Sequence, residues 1–339
     1  PIKEYDDPSD TTLQLSLTGA KAPMGAQSNA TMTIFSQEAN VWVRDATNAG
    51  SGYASVATNW SLGHAPTNGE VLYIGTNAPV ASMTWNLTNV VPGEWYQETN
   101  YAGTVTFMTT WPAFGEFTNF QVAGDCFIHG GSWTHPANTG NTNEVEHLKV
   151  TVEGNLVIGS GGSIDVTGKG YAAQRGPGAG NSQHRSFQTG PAKAASYGGR
   201  GGYDSWDPTV FALTYGSIFS PTNLGSGSAS AGGGAVELRV GGTATINGQI
   251  VANGLPQAQW NTGSGGSIYL VAGALSGSGL LNASGDGAGS YWGGGGGRIA
   301  VVVTNSDSFG SVRTRAYGGS CNVDGGAGTI YRECLSDGA

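Results

Sequence analysis

Charged side chains are scarce in this chain, at 11% of 339 residues against about 25% in an average globular domain. The 14 lysines and arginines are scattered along the sequence, and the formal charge is −9. A nucleic-acid surface needs basic side chains gathered in a patch that displaces counterions from phosphates. We therefore expect no nucleic-acid partner.

Long apolar runs and helical periodicity are missing as well. No run of about 18 apolar residues occurs, so we expect no helix that inserts into a membrane. No segment of useful length repeats its apolar residues at the spacing of an amphipathic helix. The sequence therefore predicts an all-β protein.

Cysteine is also rare, with three residues. Cys126 lies in an apolar stretch that reads as a strand, and we expect a small buried thiol there. Cys321 and Cys334 flank the last copy of a repeat and could form a disulfide worth about 3 kcal/mol for a loop of that size. No Cys-x-x-Cys or paired His spacing is present, so neither a metal nor a cofactor is expected.

Glycine is abundant instead, with 59 residues, and much of it lies in a repeated phrase of the last third. Each copy starts with glycines and continues into alternating apolar residues, and intervals of 32, 31 and 31 residues separate the first core positions, Val236, Ile268, Ile299 and Ile330. Two short strands and a Gly-rich return cannot bury an apolar face alone, so the copies must stack. The repeat predicts a parallel β-helix (β-solenoid) with coils of about 31 residues in the C-terminal half.

An earlier copy of the phrase predicts the register of stacking. Leu148 corresponds to Val236, 88 residues later, and Ile164 corresponds to Ile250. This interval is longer than one coil of about 31 residues, and the additional residues form a long inserted loop at 169–231. We divide the chain into an N-terminal segment (1–35), an irregular solenoid part (36–147) and regular coils (148–335) that carry the insert.

The N-terminal segment contains one alternating stretch, Thr12 to Thr18. Such a strand either caps the solenoid or adds to the sheet edge of a neighbouring molecule. The candidate residues for self-association are Leu13, Leu15 and Leu17. In the irregular part, short strands are predicted at 40–44, 70–75, 82–87, 103–108 and 119–122.

A family resemblance begins in the irregular part. The run from Asn59-Trp60 through Pro66 to Gly69-Glu70-Val-Leu-Tyr-Ile74 resembles an opening found in large secreted bacterial proteins that are similar to autotransporter passengers. The phrases Gly-Gly-Ser-Ile-Tyr-Leu and Gly-Gly-Arg-Ile-Ala-Val resemble the Gly-rich repeats of extracellular β-helix proteins. The resemblance implies a secreted, parallel β-helical surface protein, and it transfers no catalytic residues.

The insert is the first candidate site, because long loops on rigid scaffolds often carry function. A polysaccharide lyase needs a base and a cation that holds the uronate carboxylate. The candidates are His184, Lys193, Tyr197 and Arg200. The alternative, which the lack of a diagnostic spacing favours, is a packed Gly-rich flap.

Aromatic residues on the return loops are the second candidate site. Trp260 and Trp292 are 32 residues apart, one coil, and Tyr291 adjoins the second. A column of this kind could stack on sugar rings. The alternative is that the rings cover bare glycine backbone.

These features together predict an extracellular structural protein, a cell-surface or filament-forming β-solenoid that associates with copies of itself. The first alternative is a carbohydrate-active β-helix enzyme, a lyase or a hydrolase. The second is a glycan-binding module, and in both alternatives the partner is a polysaccharide.

Overall fold

The computed structural model describes most of the chain. The described residues are 11–16, 29–34, 39–44, 52–75, 78, 80–181, 193–203, 211–255, 261–285, 287 and 291–335. They form eighteen strands and a 3₁₀ turn at Ala57–Asn59. This confirms the predicted all-β class.

The first two strands form a small sheet of their own. β1 (Thr11–Ser16) and β2 (Asn29–Ile34) pair antiparallel, with Leu13 opposite Met32 and Leu15 opposite Ala30. The strand predicted at Thr12 to Thr18 is therefore present, one or two residues shifted at each end. Its partner β2 was not predicted, and Leu17 lies outside the described residues.

The other sixteen strands form one sheet system in which the strands pair in parallel. They are β3 (Asn40–Trp42), β4 (Val71–Ile74), β5 (Met83–Trp85), β6 (Glu94–Gln97), β7 (Thr104–Phe107), β8 (Phe120–Val122), β9 (Cys126–Thr134), β10 (Leu148–Val152), β11 (Leu156–Asp165), β12 (Ala235–Ile246), β13 (Gln249–Val251), β14 (Ser267–Ser276), β15 (Leu280–Asn282), β16 (Arg298–Val303), β17 (Arg313–Arg315) and β18 (Thr329–Cys334). The longest path of neighbours runs β3-β4-β6-β9-β11-β12-β14-β16-β18, in chain order. This is a β-solenoid of about 8 turns.

The register predicted from the repeat is confirmed. Val236 in β12 pairs with Ile268 in β14, which is followed by Ile299 in β16 and Ile330 in β18. Across the insert, Leu148 in β10 pairs with Val236. The aliphatic side chains therefore stack in rows along the axis, one row for each inward position of the coil.

The irregular part has a different core, built from aromatic rings. The rings are fully buried and neighbouring pairs have centroids 4.6–6.5 Å apart, in the set Trp85, Trp95, Phe107, Phe120 and Trp133. The side-chain oxygen of buried Gln97 accepts a hydrogen bond from Trp133 Nε1 at 3.0 Å. Because successive coils place different rings at equivalent positions, this half shows no sequence period.

Glycine rows bring the coils into close backbone contact where the chain returns. A Cβ on Gly266 would meet the carbonyl oxygen of Gly234, one on Gly297 that of Gly266, and one on Gly328 that of Gly297, in each case closer than the 3.0 Å that real Cβ atoms respect. The same backbone glycine therefore recurs in each coil because no larger residue fits.

Replacement of Gly297 by Ala tests this constraint. The new methyl group meets backbone on both adjoining segments, so we expect the free energy of unfolding to fall by about 3 kcal/mol, as for an overpacked core site. Urea denaturation followed by circular dichroism measures it.

Gly326→Ala is the matched control, because its nearest neighbour is 3.3 Å from the added Cβ. We expect a loss well below that of Gly297→Ala. Equal losses in the two variants would contradict the close-contact explanation.

Candidate functional site

The insert lies against the regular coils as a flap. Its described parts, 169–181, 193–203 and 211–231, contain no strand. The Gly199 N–H donates to the Gly296 carbonyl at 2.8 Å, and Arg298 Nε donates to the Tyr215 carbonyl at 2.9 Å. These contacts support the packed-flap alternative for the described parts of the insert.

The predicted catalytic residues of the insert are held in separate contacts. Tyr197 is fully buried, and its hydroxyl lies 2.7 Å from Ser267 Oγ. Burial raises the pKa of Tyr197 well above its ordinary value. A base that serves an external polysaccharide needs an open position, so this burial argues against a catalytic role for Tyr197.

The other insert candidates are more exposed. Lys193 is half-buried, and its backbone N–H donates to Asn181 Oδ1 at 2.9 Å. The Arg200 guanidinium lies over the Phe211 ring, 3.9 Å from its centroid. His184 lies outside the described residues, so its role stays a prediction.

The predicted sugar-stacking column is covered where the structure describes it. Trp292 is 7% exposed and packs against Ala194 of the insert, with Tyr291 stacked on it at 5.5 Å. A sugar ring needs a free aromatic face, so the burial of Trp292 argues against this role. Trp260 lies outside the described residues. The flap, which the sequence does not place, covers this side of the coils.

A polar cluster that the sequence analysis missed lies beside β10. His147 is 3% exposed, and its ring packs against Trp111 at a tilt of 36°, with centroids 4.2 Å apart. Within the described residues neither ring nitrogen of His147 has a hydrogen-bond partner. Burial lowers the pKa of His147 to about 4, so the ring is neutral at pH 7. No motif marks this site, because Trp111 and His147 come from two loops without strand patterns.

His135 is a contrasting buried histidine. Its Nδ1 donates to the Pro136 carbonyl at 2.7 Å, and its Nε2 accepts from the Ala235 N–H at 3.4 Å. Burial lowers the pKa of His135 to about 3. The neutral ring is thus satisfied on both sides and has a structural role.

The two lowered pKa values predict a loss of stability in acid. Below pH 6.5, the ordinary histidine pKa, the histidine is protonated in the unfolded chain but stays neutral in the folded chain. The contribution of His147 to the free energy of unfolding is therefore fully present above pH 6.5. It decreases as the pH falls to the folded pKa of about 4. We expect His147→Phe, which removes unpartnered nitrogens from a buried contact, to flatten this profile by about 3 kcal/mol between pH 6.5 and pH 4.

Urea denaturation at a series of pH values measures the effect. His64→Ala removes an exposed histidine and serves as the control, whose profile should stay much closer to that of the wild type. An unchanged pH profile in His147→Phe would show that His147 is not buried in its neutral form.

The first and the last described coils differ. At the N-terminal end, Trp60 is 2% exposed and covers Trp42 with ring centroids 5.2 Å apart. The backbone of β3 is satisfied on its outer edge, because Val43 N–H donates to the Asn59 carbonyl and Ser61 N–H donates to the Val41 carbonyl. This end is closed by the chain itself.

The last described strand, β18, is less covered than the strands before it. Among the described residues, β18 is hydrogen-bonded to β16 alone. Ile330 occupies the inward row of Ile268 and Ile299, which are fully buried, yet its side chain is 45% exposed. Within the described part of the chain, the aliphatic row therefore ends in a partly exposed side chain.

Charged side chains lie in the last two strands. Arg332 takes the inward position that Val301 holds in the preceding coil, and its Nη2 donates to Thr314 Oγ1 at 3.1 Å. Arg313 and Arg315 lie in β17, which pairs with β15. Glu333 follows Arg332 in β18, so this part of the coil carries charge of both signs.

Comparison with protein-family models, with curated proteins and with solved structures found no match. Within the described residues, no group of three or more His, Cys, Asp or Glu side chains could hold a metal ion. No helix in that part of the chain is long and apolar enough to cross a membrane. The pairing of Cys321 with Cys334 stays a prediction.

Proposed function

We propose that this chain is an extracellular structural protein, a cell-surface or filament-forming β-solenoid that associates with copies of itself. The observation that carries the proposal is Ile330, which lies in the row of the buried Ile268 and Ile299 but is itself 45% exposed. Among the described residues, β18 pairs with β16 alone. Self-association covers the exposed apolar side chain.

The stacked coils between β3 and β18 are suited to a stiff rod. Strands from β3 to β18 stack in chain order along one axis, and the core between them is continuous. The glycine rows restrict the movement of one coil relative to the next, because backbone atoms of adjacent coils are in close contact there. A rod of this kind, poor in charge and rich in hydrogen-bonded backbone, is suited to the secreted, surface-exposed location that we propose.

The catalytic and glycan-binding alternatives depend on side chains of the insert and the return loops. The structure buries Tyr197 and Trp292. Their burial removes two of the contacts on which those alternatives were built. The side chain of Ile330, by contrast, is accessible, and it favours an interaction between protein chains.

Ile330→Lys tests the proposed role of Ile330 in self-association. The side chain is already 45% exposed, so the fold should tolerate the change, whereas a charge in a newly buried row opposes association. We expect the wild-type chain to form oligomers or filaments, visible by negative-stain electron microscopy and sedimentation velocity. The variant should associate at least about tenfold more weakly, which corresponds to about 1.4 kcal/mol.

Val80→Lys is the control, since Val80 is 62% exposed in the irregular part of the solenoid. It should associate as the wild type does. A wild-type chain that stays monomeric at high concentration would refute the proposed function. Association that survives in Ile330→Lys would place the interface elsewhere.

A further inference from the structure

Charged and aromatic side chains meet on the outer face of the sheet formed by β10, β12 and β14. Register places Lys149 beside Glu237, and Glu237 beside Tyr269. Leu238, which lies between Glu237 and Arg239, faces the core, so the two charged residues point outward by the alternation of a strand. Adjacent strands are about 4.8 Å apart. Lys149, Glu237, Arg239 and Tyr269 therefore form one compact group on the side of the solenoid.

The group carries one more positive charge than its own carboxylate balances. The side chain of Glu237 is 7% exposed, and its Oε1 accepts a hydrogen bond from Arg239 Nε at 2.8 Å. The same oxygen lies 3.4 Å from Lys149 Nζ. One cation is enough to neutralise a buried carboxylate, and Glu237 has two beside it. The sum of the three charges is therefore +1.

His147 borders the group at the outward position two residues before Lys149. The charges of Glu237 and Lys149 both act on its pKa, so its ring lies close to them. The ring is neutral at pH 7, because burial lowers its pKa to about 4, and it does not alter the local charge. Its two unpartnered nitrogens leave hydrogen-bonding capacity unused beside the cations.

The guanidinium of Arg239 is oriented to bind an external partner. Its side chain is 48% exposed, and its Nε is held by Glu237. Its Cζ lies over the Tyr269 ring, 5.7 Å from the centroid, which restricts its position further. Within the described part of the chain its two Nη atoms make no hydrogen bond. They form a planar fork that matches the two oxygens of a carboxylate.

The surroundings of this fork favour a sugar over an acidic polypeptide. Tyr269 provides an aromatic ring on one side. On the other side, the outward row continues from Arg239 through Thr151 to the exposed Gln121. Sugar rings pack their C–H groups on aromatic rings and need hydrogen bonds for their hydroxyls. An acidic polypeptide would use the positive charge but neither of these features.

We infer that Lys149, Arg239 and Tyr269 bind an acidic polysaccharide through the carboxylate of one of its sugars. The Nη fork of Arg239 holds the carboxylate, and Lys149 adds a second positive charge. Tyr269 and the row of Thr151 and Gln121 contact the neighbouring sugar rings. The site lies on the side of the rod and does not depend on the proposed self-association.

Isothermal titration calorimetry of the full chain tests the inference with three probes. The first is an oligomer of galacturonic acid, and the second is its methyl ester, which keeps the sugar rings and loses the charge. The third is polyglutamate, which has carboxylates without sugar rings. We expect the acid to bind at least about tenfold more tightly than either of the others. Equal binding of the ester or of polyglutamate, or no binding of the acid, would overturn the inference.

Substitutions locate the binding on this surface. Arg239→Gln and Lys149→Gln each leave one cation for Glu237, and each should weaken binding of the acid about tenfold. Arg239→Lys keeps the charge but loses the fork, so we expect an intermediate loss. Arg313→Gln is the matched control, because it removes the same charge from an exposed position in β17.

The control should bind as the wild type does, and urea denaturation checks that every variant is folded. If Arg239→Gln does not fold, Arg239→Lys with Lys149→Gln decides the outcome. Binding that is unchanged in the Arg239 and Lys149 variants, or that falls equally in Arg313→Gln, would overturn this assignment of the site.

Discussion

The close approach of backbone to backbone at the coil returns is the constraint on which this structure depends. At Gly266, Gly297 and Gly328 the carbonyl of the preceding coil lies where a Cβ would be. A side chain at any of these positions would push the coils apart and break the ladder between them. The scarcity of charge follows, because a large part of the chain has no side chains and another part faces the core. The unusual composition is thus a consequence of the stacking geometry.

The regular half could be predicted from the sequence down to residue register. Leu148 pairs with Val236 across the insert, because an aliphatic row requires similar residues at equivalent positions. The irregular half could not be predicted to that degree. In its core, rings from different strands pack between one another, such as Trp85, Trp95 and Trp133. Each coil therefore fills a similar core volume with different residues, and no sequence repeat results. β6 was missed there, because Pro92 and Gly93 just before it read as a turn.

The candidate sites were harder to predict than the fold, because accessibility depends on tertiary contacts. Trp292 recurs at coil spacing, as a surface column would, but the insert returns and covers it. The contact of His147 with Trp111 comes from two loops and has no motif. The exposure of Ile330 also has no local signal, since the same residue type is buried at Ile299. Only position along the axis distinguishes them.

The first and the last described coils of the solenoid present different surfaces. Trp60 and the segment that follows it close the N-terminal end with side chains and hydrogen bonds of the chain itself. Among the described residues no equivalent segment covers β18, and Ile330 is 45% exposed there. Two identical ends would favour a closed dimer through a self-complementary contact. Unlike ends require two different surfaces to meet, and a contact of that kind repeats without closing. In the filament that we propose, the polarity of a single chain therefore sets the direction.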